Sequence, residues 1–320
     1  MGTGHGYGKV ILFGEHFVVY GLPAIVSALG SRTVATVERT GGPGFELADH
    51  RLESPGYKKE KFAEQSASLE NIFSAMGVDP RQTPFRIMLG GDLVAASGVG
   101  ASAASCVAIA RALNDEFRLG LSEEEINAIG YEGEKGYHGT PSGIDNTAAV
   151  YGGVLRFRRD LQGGPPFFEP VRIRQTFEIV EGDTGVTAST QQVVGDVRRI
   201  REEQPEFFAG ILLSYEKLVT AATRAIESSG LEELGRLMNE NLDLLRKIGV
   251  SSRELETLIE IAGANGALGA KITGTGRGGL MVALTPGKKS QEKVALAIEK
   301  AGFRAFRASI GPGPESQGGR

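Results

Sequence analysis

The sequence predicts an α+β protein of two domains, and three observations carry that prediction. At 320 residues the chain is long for one domain and comfortable for two of roughly 150 each. Short apolar strand segments alternate with amphipathic helical stretches through the first half. Near Gly182-Asp183-Thr184-Gly185 the period changes and helices dominate the rest of the chain, which sets the expected domains at 1–182 and 183–310.

Lys9–Phe13 is a short apolar strand closed by Gly14, and Thr33–Glu38 is a second. Between Glu60 and Met76 the residues Phe62, Leu69, Ile72, Phe73 and Met76 fall on one helical face, and Gly77 stops the helix. Phe85–Leu89 alternates as a strand does, and Ser102–Phe117 is alanine-rich and helical. Ser122 with Glu125 forms a capping box for a helix running toward Glu134. Val154–Phe157 resumes strand character, Gln162–Pro170 reads as a loop, and Val171–Ile173 and Phe177–Val180 read as strands. Four helices come next, at Ser189–Glu203, Phe207–Ser228, Leu231–Ile248 and Ser252–Asn265, the second with a steady apolar stripe from Phe208 to Ile226. Ala270–Thr273 and Leu280–Leu284 are strands around a glycine-rich turn, before a helix at Gln291–Lys300 and a strand at Phe303–Ala308. Gly311–Arg320 has the composition of a disordered tail.

Composition narrows the class. Thirty-five basic against 39 acidic residues leave a net charge of −4 with no long single-sign block, so nucleic acid has no electrostatic footprint here. A single cysteine, Cys106, cannot form an internal disulfide. Met1–Lys9 lacks the apolar core of a signal peptide, and no run approaches the roughly 18 apolar residues of a membrane span. The expectation is a cytoplasmic protein with no membrane partner. Glycine is the outlier: 46 residues, about twice the usual share, clustered where backbone must turn sharply or approach a ligand.

Four clusters could carry chemistry. Ser97-Gly98-Val99-Gly100-Ala101-Ser102 opens a helix, so its amides and the helix dipole can cradle an anion while Ser102 offers a hydroxyl to phosphate or metal. In isolation the segment reads first as a flexible turn with an N-cap. Gly274-Thr275-Gly276-Arg277-Gly278-Gly279 joins two strands, either as a wide hairpin or as a loop close to a ligand with Arg277 as an anion partner. Glu134 and Asp145, in the polar segment Glu132–Asn146, could converge across a turn, one holding Mg²⁺ and the other orienting or deprotonating a hydroxyl. The alternative is that Glu134 solvates a helix end while Asp145 caps the next helix. Lys9 suits a phosphate or a developing alkoxide and His16 a substrate hydrogen bond, although alone the lysine also reads as a surface residue and the histidine as a structural one. The four histidines form no metal-binding spacing.

Taken together, these segments resemble one family. Gly8-Lys9 through Gly14-Glu15-His16 to Gly21 is similar to the opening motif of mevalonate kinases, within the galactokinase, homoserine kinase, mevalonate kinase and phosphomevalonate kinase (GHMP) superfamily. Ser97–Ala104 resembles the superfamily's phosphate loop, His138–Asn146 its catalytic segment in mevalonate kinase wording, and Lys271–Gly279 its third motif. Gly182–Gly185 with Ala188-Ser189-Thr190 is also similar, and the likeness runs in order from about Gly8 to Leu284. The resemblance implies an N-terminal domain of ribosomal protein S5 domain 2 type and a ferredoxin-like C-terminal domain. It implies ATP as co-substrate, Mg²⁺ as cofactor, mevalonate as the alcohol phosphorylated on its 5-hydroxyl, and a homodimer.

Residue by residue, Asp145 matches the catalytic aspartate and Lys9 the lysine near the reacting hydroxyl. Ser102 and Glu134 match the Mg²⁺ ligands, and Gly98, Val99, Gly100, Ala101, Ser102 and Ala103 the phosphate-binding loop. Glu15, His16, Thr190 and Gly274 match positions on the substrate side. Tyr7, Ala101, Arg277 and Asn241-Leu242 depart from the common pattern, and Arg277 puts a cation near the expected phosphates. Phosphoryl transfer asks a protein for positioning and charge neutralisation, which this set supplies. Other readings on the same scaffold are a kinase of galactose or homoserine, or a decarboxylase or ligand sensor. The last two would be expected to lack Asp145, Glu134 or Ser102, all of which are present.

Overall fold

Every second residue from Gly2 to Gly8 is glycine, and that spacing builds the first strand. In the computed structural model, which describes residues 1–96, 98–164 and 166–311, β1 (Gly2–Phe13) starts at Gly2 rather than at the expected Lys9. A Cβ on Gly2, Gly4 or Gly6 would run into the backbone of the helix Ala101–Phe117 at Ala112, Ala108 and Ala104 in turn. Two strand residues advance about 6.7 Å and four helix residues about 6.0 Å, so the two repeats stay in step. Ser97, Pro165 and the expected tail beyond Gly311 lie outside the described residues.

The chain divides into two units: Met1–Lys9 with Ala28–Gly152, and Val10–Ser27 with everything from Gly153 onward. In the first unit β2 (Ala24–Arg39) pairs through Thr33–Arg39 with antiparallel β4 (Phe85–Gly91), and β4 is parallel to β3 (Phe45–Asp49). Helices α1 (Tyr57–Glu60), α2 (Phe62–Met76), α3 (Ala101–Phe117), α4 (Glu123–His138) and α5 (Ile144–Tyr151) complete it. Ile72, Phe73, Phe85, Ile87, Val107, Leu113 and Ile126 are among the buried side chains of its core. The capping box of Ser122 and Glu125 opens α4 as expected.

In the second unit Ala24–Ser27 of β2 pairs with β5 (Val154–Arg158), and β5 with β6 (Phe167–Val171). β6 occupies part of the stretch expected as a loop, because each of its residues from Phe167 to Val171 finds a partner on β5. β7 (Phe177–Asp183) leads to α6 (Thr190–Glu203), α7 (Pro205–Glu227), α8 (Leu231–Lys247) and α9 (Arg253–Ala264). Then come β8 (Gly269–Thr273), β9 (Leu280–Thr285), α10 (Lys288–Lys300) and β10 (Arg304–Ile310). The last four strands form one antiparallel sheet in the order β10-β7-β9-β8. Strand, helices, strand, strand, helix, strand in that order is the ferredoxin-like pattern.

β7 ends inside the expected boundary Gly182–Gly185 yet belongs to this sheet. Gly153–Asp183 and Val10–Ser27 therefore group with the C-terminal half, unlike the expected 1–182 partition. The fold class is α+β, as the sequence predicts. Among the described residues no helix is long and apolar enough to cross a membrane.

Candidate active site

The first unit gathers four of the expected residues. Gly98 and Gly100 take positive φ of 92° and 72°, which lets the chain turn into α3. A Cβ on Gly100 would strike the Lys9 side chain, and the Lys9 amide donates to the Val99 carbonyl at 2.9 Å. Gly100 is the N-cap of α3 and has no side chain to cap it with, so among the described residues the amides of its first turn, Ala101 to Ala103, have no side-chain capping acceptor. Ala101 and Ala103 are buried beneath them.

Glu134 reaches this place because α4 lies close on its neighbours. Gly130, Gly133 and Gly136 line one side of α4, where a Cβ would meet Val107, Cys106 with Ile72, and the Ser68 backbone. The helix therefore sinks into the unit and carries Glu134 to 1% exposure. Burial, first, and then the neighbouring Asp145 charge push its carboxyl up to about 8, while the Ser102 hydroxyl and Lys9 pull the other way. Glu134 Oε1 is buried without a hydrogen-bond partner, and Oε2 lies 3.7 Å from His138 Nε2. Burial holds the His138 imidazole below its ordinary value.

Asp145 stands in the first turn of α5, one residue inside the helix rather than at its cap, which is Gly143. Thr147 Oγ1 donates to the Gly143 carbonyl at 2.6 Å, and Asn146 Nδ2 to Asn127 Oδ1 at 2.7 Å, which fixes that turn. The Asp145 carboxylate accepts the Lys9 ammonium at 3.1 Å. Lys9, Ser102, Glu134 and Asp145 thus share one neighbourhood. Among the described residues no group of three or more His, Cys, Asp or Glu side chains forms a metal cage.

The second unit holds the remaining expected residues. Glu15 and His16 come after β1 rather than continue it. Glu15 is buried and pairs with Lys271, a side chain with no exposure at all, while Asn241 Nδ2 donates to Glu15 Oε2 at 3.4 Å. Burial lowers the Lys271 ammonium, and the Glu15 carboxylate opposes that. His16 Nε2 donates to the Thr275 carbonyl at 2.7 Å, and burial keeps the ring below its usual pKa, so Nδ1 is left as an acceptor. Thr190 Oγ1 and Thr275 Oγ1 lie 3.0 Å apart, and Gly274 takes a φ of 84° between β8 and Thr275. Thr273 Oγ1 donates to the Ile11 carbonyl at 3.0 Å and accepts from its amide at 3.2 Å. Lys271, Thr273 and Thr275 make contacts that sequence reasoning does not assign to them. The signal is present in Lys271, a charged residue inside an apolar strand.

Arg277 is engaged within the protein. Its Nη1 donates to Asp196 at 2.5 Å and its Nε to the Gly249 carbonyl at 3.0 Å, so the guanidinium is engaged by α6 and the turn after α8.

Known proteins share this arrangement of segments. Residues 62–153 match the GHMP kinases N-terminal domain and residues 222–304 the GHMP kinases C-terminal domain. The mevalonate kinase of Pyrococcus abyssi is 37% identical over 313 residues, 92% of this chain and 91% of that protein. The chain belongs to the mevalonate kinase family of GHMP kinases. The mevalonate kinase of Aeropyrum pernix is 36% identical, covering 95% of this chain and 94% of its own. Among solved members of the family, L. major mevalonate kinase in complex with R-mevalonate superposes with a TM-score of 0.93 at 41% identity, covering 98% and 96% of the two chains. Lactococcus lactis galactokinase, at 20% identity and a TM-score of 0.73 over 98% and 94%, shares the fold. As in any GHMP kinase, ATP is the implied co-substrate.

Proposed function

We propose that this chain transfers the terminal phosphoryl group of ATP to the 5-hydroxyl of mevalonate, giving ADP and 5-phosphomevalonate on the route to isoprenoid precursors. The observation that carries the reading is the Lys9–Asp145 ion pair beside Glu134 and Ser102, at the uncapped N-terminus of α3. Amides from Gly98 to Ala103 cradle the phosphates, where the helix dipole favours negative charge. Asp145 takes the proton of the attacking hydroxyl as its oxygen bonds to phosphorus and the bond to ADP breaks. Lys9 stabilises the developing alkoxide and keeps Asp145 aimed at it.

The residues present fit magnesium. Glu134 leaves a buried carboxylate oxygen without a partner and Ser102 adds a hydroxyl beside it. Hard oxygen donors suit Mg²⁺, which takes one or two carboxylates and completes its shell with phosphate and water. Ser102 and Glu134 would hold the ion, whose chemistry there is to neutralise and orient phosphate oxygens. We assign recognition of the alcohol to Glu15, His16, Thr190 and Gly274, with His16 Nδ1 as an acceptor for a substrate hydroxyl.

Purified protein supplied with Mg-ATP should convert R-mevalonate to 5-phosphomevalonate with one ADP per product, and should leave galactose and homoserine untouched. No mevalonate turnover beside an active control enzyme would remove the reading. A homodimer and a cytoplasmic location extend it, and light scattering and cell fractionation test them.

A further inference from the structure

The glycine loop Gly274–Gly279 contains one residue that does not belong there by backbone logic. Arg277 has a φ of 55°, in the left-handed region where a side chain is strained and a glycine is not. Its neighbours explain the conformation. A Cβ on Gly276 would collide with the Val250 backbone and one on Gly278 with the Val186 backbone, so the loop is wedged between two stretches of irregular chain. The Arg277 amide donates to the Val250 carbonyl at 2.8 Å and the Gly279 amide to the Val186 carbonyl at 2.8 Å. From that position the guanidinium spans the Gly249 carbonyl and the Asp196 carboxylate. Arg199 also reaches Asp196, at 3.2 Å to its other oxygen.

The helix that Arg277 holds has only a small fully buried face. Of the fourteen residues of α6, only Val193 and Val197 are buried. A helix with so small an apolar face depends on polar ties for its position. Two such ties run to the same loop: Thr190 to Thr275 at the N-terminal end, and Asp196 to Arg277 two turns on. Thr275 is also the residue whose carbonyl receives His16. Helix, loop and histidine therefore form one connected network.

We propose that Arg277 is a positioning residue for the alcohol: with Asp196 and the Gly249 carbonyl it locks α6 against the glycine loop, so that Thr190, Thr275 and His16 keep one arrangement. This rests on the assignment of Thr190 and His16 to substrate recognition. An outlying φ held by a specific ion pair marks strain kept for a use. The loop keeps a strained arginine where glycine would relax the backbone, and the arginine's contribution is the clamp.

Arg277→Gly, Asp196→Asn and the double variant test it, since the glycine relieves the backbone while deleting the clamp. Each single change should raise KM for mevalonate about fivefold and leave KM for ATP within about twofold, and the double should be no worse than either single. Hydrogen exchange should quicken in residues 189–197 and 274–279 alone. An unchanged KM for mevalonate, or a double variant whose effect is the product of the singles, overturns the proposal. Should the parent enzyme show no mevalonate turnover, the functional reading falls separately. The exchange experiment then decides the clamp by itself: unaltered exchange in both segments overturns it, and quickening confined to them upholds it.

Discussion

Glu134 should make the metal-free protein less stable as the pH rises, and replacing it should remove that dependence. Burial and the Asp145 charge raise its carboxyl to about 8 from an ordinary 4.5. An acid raised in the folded state holds its proton more tightly there than in the unfolded chain. Stability is then fully present below the unfolded value and drains away as pH climbs through the window from 4.5 to about 8. Glu134 is 1% exposed, so solvent screening takes little from the effect. Linkage gives a loss of about 3 kcal/mol between about pH 5.5 and about pH 8.5 from this one group. Urea unfolding in a chelator, at both pH values, should show that slope in the parent protein and lose it in Glu134→Gln. The same variant should lower kcat with Mg-ATP by about a hundredfold or more, because the ionised carboxylate is the form that would hold the proposed metal. Mg-ATP binding to the parent near neutral pH should correspondingly release close to one proton, measurable in buffers of different ionisation enthalpy. Equal pH slopes in the two proteins, or full activity in Glu134→Gln, would refute the reasoning.

The neighbouring charges give two further outcomes. Asp145→Asn keeps the shape of the residue but removes the proton acceptor, so kcat should fall by about a hundred- to ten-thousandfold while ATP affinity holds. A fully active Asp145→Asn would remove the proposed base. Lys271→Met leaves the buried Glu15 carboxylate without its cation and should cost about 3–5 kcal/mol in urea unfolding, most of it regained when Glu15→Gln is added; equal losses in the single and the double would show that the pair is not coupled.

How much of the molecule is legible in the sequence varies with the physics at each place. Amphipathic helices such as α7, with Phe208, Ile211, Tyr215, Leu218 and Ile226 buried, announce themselves through a period that tertiary structure has no reason to overturn. So does the capping box of α4, whose two hydrogen bonds are local. β3 is not legible, because Phe45–Asp49 is only partly buried and becomes a strand through parallel pairing with β4, far along the chain. The start of β1 is hidden for a different reason. Glycine has low strand propensity, so Gly2, Gly4, Gly6 and Gly8 read as flexible chain, although their strict alternation is itself the trace of a strand lying on a helix. The site shows the same divide. Lys9, Ser102, Glu134 and Asp145 can be nominated as residue types, but their convergence depends on how deeply Gly130, Gly133 and Gly136 let α4 settle.

Two buried glutamates make the chemical point. Glu15 is met by the Lys271 ammonium and the Asn241 amide, so its charge is balanced where it lies. Glu134 is also buried, yet one of its oxygens has no partner and its acidic neighbour, Asp145, repels it. A chain selected for stability alone would fill that place with an apolar side chain, since a buried ionisable group without a partner is costly. The Glu15 arrangement reads as a brace that ties β8 to the chain after β1. The Glu134 arrangement is incomplete as it stands, and a hard cation arriving with phosphate oxygens is the partner of the right charge and chemistry to complete it. The first glutamate finds its counter-charge inside the protein; the second keeps an oxygen for a ligand to complete.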